Sequence, residues 1–106
     1  MDFYQDHKYA EAIAEFQLVL NEDPSNATAN FYSGVSTLAL DNADESLNYF
    51  KKTDNKNNRF YEATLWYQSL AYIKLDKNKD AKNLLEKVVK VNGEYKSRAE
   101  EILKKL

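Results

Sequence analysis

Like side chains return in this chain every 34 or 35 residues. Phe3, Thr37 and Tyr72 are spaced in this way, and so are Ala12, Ser46 and Ala81. The same steps link Phe16 to Phe50 and Leu85, Val19 to Thr53 and Val88, and Tyr4 to Leu38 and Ile73. Phe31–Tyr32 comes back as Trp66–Tyr67, and Val35 as Leu70. A period of this length marks an array of stacked helical hairpins, each too small to bury its own apolar face. With 106 residues, about three such units are expected.

Local patterning predicts helices throughout. Tyr9, Ala12, Ile13, Phe16, Val19 and Leu20 fall at steps of three and four, giving an amphipathic helix over about 8–22. Asp23–Pro24 ends it, because Pro lacks an N–H and disfavours helical geometry in the residue before it. Ser25 or Asn26 then caps a helix over about 27–40, followed by a short turn at Asp41–Asn42 and a returning helix from Ala43 to about Thr53. The polar run Asp54 to Asn58 reads as the longest connection. Two more helices follow, over about 60–75 and 79–91, parted by Asp76–Lys77–Asn78. Asn92–Gly93 supplies a left-handed stop, and Tyr95 to Leu106 forms a last amphipathic segment. No alternation of apolar and polar residues lasts long enough for a strand.

The segment Tyr9-Ala10-Glu11-Ala12-Ile13-Ala14-Glu15-Phe16, running through Val19–Leu20 to Asp23–Pro24, resembles the second helix and closing turn of a tetratricopeptide repeat. Gly34 and Ser46 in the middle unit, and Ser69 and Ala81 in the last, stand where that family places small residues. Gln68, where Leu is usual, and Thr53, where a small apolar residue is usual, depart from the pattern, as does the missing closing Pro of the last two units. The resemblance implies an all-α superhelix, a solenoid of about two and a half repeats with a C-terminal capping helix. Its units would be 1–26, 27–59, 60–93 and the cap 94–106, in one domain. Only Met1 to Asp6 would represent the first helix of the first unit, which suggests a truncated repeat and an apolar amino end suited to forming a homodimer.

The resemblance further implies a non-enzymatic module for protein–protein interaction, a scaffold or adaptor with a concave groove lined by the first helices of the units. Carried onto this chain, the groove holds Tyr4, then Thr28, Phe31, Val35 and Leu38, then Ala63, Trp66, Leu70, Ile73 and Lys74. Thr28, Phe31, Val35, Ala63 and Trp66 cannot clamp a terminal carboxylate, so the expected ligand is an apolar or amphipathic peptide segment. Trp66 and Phe31 are its expected anchors, and Trp66→Ala is expected to abolish capture while leaving helicity intact. The alternative is that Trp66 and Phe31 pack on each other as core, beside Phe16, Phe50, Tyr72 and Leu85. A second function is also open: a structural spacer or self-association module within a larger multi-domain protein.

Net charge is −2, with 17 acids and 15 bases. Residues 1–45 hold nine acids against the single base Lys8, whereas residues 46–106 hold eight acids against fourteen bases. Such polarity suits head-to-tail stacking or orientation of a charged partner, unless solvated faces have simply drifted in composition. The bases are dispersed over several helical faces, which argues against nucleic acid as a partner.

His7, the one histidine, reads as a surface residue in a turn beside Asp2 and Asp6. Two Gly and no Cys leave no phosphate loop or thiolate site, so neither cofactor nor metal is expected. No segment is long and apolar enough for a membrane helix. A soluble protein is expected, the cytoplasm favoured over the periplasm, and the Lys, Asn and Tyr bias points to an AT-rich bacterial genome.

Overall fold

Asn26 caps the helix that follows it: its side-chain oxygen accepts the Ala29 N–H at 2.9 Å, satisfying one of the donors a helix start leaves open. Asn30 strengthens the same corner, donating from Nδ2 to the Pro24 and Asn26 carbonyls at 3.0 Å each. The computed structural model describes the backbone of residues 3–106 and the side chains of residues 7–106. Six helices follow in order: α1 Phe3–Glu22, α2 Ala27–Ala39, α3 Ala43–Phe50, α4 Tyr61–Lys74, α5 Asn78–Val91 and α6 Lys96–Lys105. There is no strand among the described residues. Each helix packs on its neighbours in sequence, and α2 also meets α4. The fold is all-α, with consecutive helices packed in chain order.

The turn after α2 is built again after α4. Asp41 and Asp76, 35 residues apart, both take the left-handed conformation, with φ of 63° and 59°. Behind each, the next N–H reaches back to the third-last helical carbonyl, Asn42 to Thr37 and Lys77 to Tyr72, both at 2.9 Å. Asp41 and Asp76 themselves donate to Leu38 and Ile73, completing a paired hydrogen-bond lock that usually has Gly at its left-handed position. Asp76 carries a Cβ where none is favoured. Asp76→Gly is therefore expected to raise stability by about 0.5–1 kcal/mol, the relief of strain outweighing the looser unfolded chain. Urea unfolding at constant m-value checks this.

At the third stop Asn92 is the left-handed residue, at φ 59°. Gly93 has another reason to be small: a Cβ there would lie 2.0 Å from Glu62 Oε2, and the partner Glu62 oxygen accepts the Glu94 N–H at 3.3 Å.

Two apolar clusters share α4 as their seam. One gathers Phe31, Leu38, Ala43, Phe50 and Ala71; the other gathers Leu65, Trp66, Leu85, Val88 and Ala99. Tyr67 and Leu70 pack against both. The expected small residues lie where helices touch: Ser46, Ser69 and Ala81 are all 0% exposed. Two of the buried hydroxyls are bonded locally, Ser46 to the Ala43 carbonyl and Ser69 to that of Trp66, whereas that of Ser33 has no partner among the described residues. Thr53 leaves helical geometry and meets the Thr64 hydroxyl at 2.8 Å in the core.

Four expectations need correction. The first helix runs unbroken from Phe3, so His7 lies within it, 2.9 Å from Glu11 one turn on, and not in a turn. No separate first helix of the first unit is present among the described residues, and Met1 and Asp2 lie outside them. The helix from Ala43 stops at Phe50, because the N–H groups of Lys52 and Thr53 tighten onto carbonyls three residues back. Of the expected core, Phe50 and Leu85 are fully buried, whereas Phe16 and Tyr72 are half-buried. Among the described residues Phe16 has one ring neighbour, Tyr32 at 6.3 Å, since α1 packs mainly on α2.

Candidate functional site

A helix that touches three others keeps only a narrow strip facing solvent. On α2 that strip is Thr28, Tyr32, Val35 and Ala39; on α4 it is Ala63, Tyr67, Leu70 and Lys74. The steps of four, three and four keep each strip on one face, and the second is the first moved on by 35 residues. Between their C-terminal halves lies a cleft of about 490 Å³, walled by Val35, Leu38, Ala39, Tyr67 and Leu70 and closed at one end by Asp41 and Lys74. That volume falls in the range of sites that take small ligands or single side chains of a partner.

Charge sits only at the rim. Lys74 Nζ donates to Asp41 Oδ1 across the end of the cleft. Asp41 comes to this place as the left-handed residue ending α2, and Lys74 as the last residue of α4. The hydrogen bond from Lys74, and then its charge, hold the Asp41 carboxyl below its ordinary pKa of 3.8. Because the folded value is the lower one, the stabilising effect is complete above 3.8 and is lost as pH falls through the depressed folded value. A carboxyl carbon titration by NMR is expected to place Asp41 below 3.8 in the native chain and to return it toward 3.8 in Lys74→Met.

Of the residues expected in a groove, Val35, Leu38, Leu70 and Lys74 come together around the cleft. Thr28 and Ala63 lie on the same strips but outside it; Thr28 accepts from Arg59, and Ala63 packs against the first cluster. Ile73 is half-buried and does not line the cleft. Tyr4 lies outside the residues whose side chains are described.

The two expected anchors are core. Phe31 is 5% exposed and Trp66 7%, and they do not pack on each other. Phe31 stacks on Phe60 with ring centroids 4.5 Å apart and meets Phe50 at 6.1 Å and Tyr67 at 5.8 Å. Trp66 stacks on Tyr95, 5.5 Å away. Ala39, Asp41 and Tyr67 are the lining residues that sequence reasoning missed. The pair Tyr32 and Tyr67, one repeat apart, was the available signal, since both lie on the solvent-facing strips.

No family model matches the chain, and no curated protein or solved structure is significantly similar to it. Among the described residues no helix is long and apolar enough to cross a membrane.

Proposed function

We propose that this chain is a non-enzymatic protein-binding module of the tetratricopeptide kind, in which the α2–α4 cleft takes an apolar or amphipathic segment of a partner. The observation that carries this reading is the repetition of the two solvent-facing strips, which brings Val35 and Leu70 to one apolar cleft with its charge confined to the Asp41–Lys74 end. Apolar side chains of a bound segment would displace water from the cleft walls. The charged end would fix direction by pairing with the segment's own polar groups.

The test begins with selection from a displayed peptide library and measures affinity by fluorescence anisotropy. Ala39→Lys adds a long side chain to the cleft, removes no core atom, and puts a cation at a helix C-terminus, where it is favourable. At least a tenfold loss of affinity is expected, of the order of 1.4 kcal/mol or more, with the unfolding midpoint little changed. Undiminished binding by Ala39→Lys would remove the cleft from the proposal. A second reading, self-association, is favoured by a separate observation, the uneven spread of charge along the chain.

A further inference from the structure

The outer face of α1 and a lysine-lined cleft beside α5 are complementary in charge. Glu11, Glu15, Leu18 and Glu22 are all exposed and follow one another at steps of four, three and four, so they form one straight row about 16 Å long. This row lies opposite the α1 face that turns inward at Tyr9, Ile13, Phe16 and Leu20. Leu18 is 70% exposed, the most open of the large apolar side chains among the described residues. Glu15 and Glu22 make no ion pair among the described residues.

Where α4, α5 and the α3–α4 connection meet, a cleft of about 520 Å³ is lined by Lys56, Tyr61, Lys87, Lys90 and Val91, with no carboxylate among them. Lys87 and Lys90 share a face of α5, and Lys56 comes from the connection between α3 and α4. None of the three is ion-paired among the described residues. Val91, 40% exposed, provides an apolar wall. Three ammonium groups around one cleft repel each other until an anionic surface meets them. This occurs in a chain whose net charge is negative.

We propose that the occupant of this lysine cleft is the α1 row of a second copy of the chain. Glu15 and Glu22, unpaired among the described residues and flanking an exposed Leu, with Glu11 beside His7 at the head of the row, meet three ammonium groups flanking an exposed Val. The concentration of nine of the seventeen acids within residues 1–45 then acts to orient one copy against the next. The two surfaces are different patches of one chain, so the contact is head-to-tail and does not close at a dimer unless the rotation happens to form a ring.

Sedimentation velocity is measured across protein concentration at about 20 mM and about 500 mM salt, where screening lengths differ several-fold. At low salt the average mass is expected to climb past two chains of 12.3 kDa each, and at high salt to return to one. Lys87→Glu with Lys90→Glu, or Glu15→Lys with Glu22→Lys, is expected to hold the protein at a single chain. All four positions are exposed, and circular dichroism confirms the fold. Mixed in equal amounts, the two variants regain both complementary contacts and are expected to assemble again, alternating. A wild-type chain that stays single at low salt overturns the proposal. So does assembly indifferent to either pair of substitutions, or a failure of the mixture to associate. Inorganic pyrophosphate binding at the lysines without any self-association would assign the cleft to a small anion instead, and would equally overturn it.

Discussion

Phe50→Ala is expected to lower the free energy of unfolding by about 3–5 kcal/mol, a large share of a small domain's margin. Phe50 is 0% exposed and touches the ring systems of both Phe31, at 6.1 Å, and Tyr67, at 6.2 Å, so its loss leaves a cavity that three helices must bridge. The neighbour that makes room for it is Gly34. A Cβ there would meet the Phe50 ring at 2.5, 2.7 and 2.8 Å, too close for a ring held on every side. Gly34→Ala alone sets overpacking of about 1–3 kcal/mol against a gain in helix propensity of about 1 kcal/mol. A net loss of about 1 kcal/mol is expected. In the Phe50→Ala background the clash is gone and the same change is expected to stabilise. Chemical unfolding of the four proteins measures this reversal, and a Gly34→Ala effect of the same sign in both backgrounds would show that the ring does not sit against Gly34.

Trp66→Ala is the second large loss, again about 3–5 kcal/mol. At 7% exposure the indole is not available as an anchor for a partner; it fills the second cluster and holds Tyr95 at the approach to α6. Hydrogen exchange is expected to rise first in α6 and the facing turns of α5, because α6 docks mainly on α5 and its Ala99 shares the second cluster with Trp66. This reverses the expectation drawn from the repeat pattern, under which the substitution would spare helicity and remove only capture. Protection of α6 amides unchanged in Trp66→Ala would return the indole to the surface.

Much of the helical order is legible from punctuation. Asp23–Pro24, Asp41–Asn42, Asp76–Lys77 and Asn92–Gly93 each mark a boundary within a residue or two of where it falls. The start of α1 is less legible, because Asp6, His7 and Lys8 look like turn residues one by one. Their helical geometry is supported by a contact one turn ahead, His7 to Glu11. The groove is harder still. Phe31, Leu38, Trp66 and Ile73 lie on the helical row beside Thr28, Tyr32, Val35, Ala39 and their counterparts, only about 60–80° away around the axis. Periodicity shows that a helix has an apolar side, but not how many neighbours press on it. With α1, α3 and α4 all against α2, the buried arc widens until it takes in Phe31 and nearly all of Leu38, which is 6% exposed. Tyr32 and Tyr67 are left nearer the surface because a phenol tolerates water at one end.

Asp41 belongs to the same lesson. As an acid between two helices it reads as a favourable charge at the start of α3. Its left-handed backbone instead turns the carboxylate across to Lys74, 33 residues away. Sequence separation of that order is what local rules do not reach.

The most direct test is an amide correlation spectrum of the chain, recorded while a selected peptide is added. The account predicts that the largest shifts fall on Val35, Leu38, Ala39, Asp41, Leu70 and Lys74, with Trp66 and Phe31 moving little. Shifts concentrated on α1, or on α5 and α6, with the Val35–Leu70 cleft silent, would contradict it.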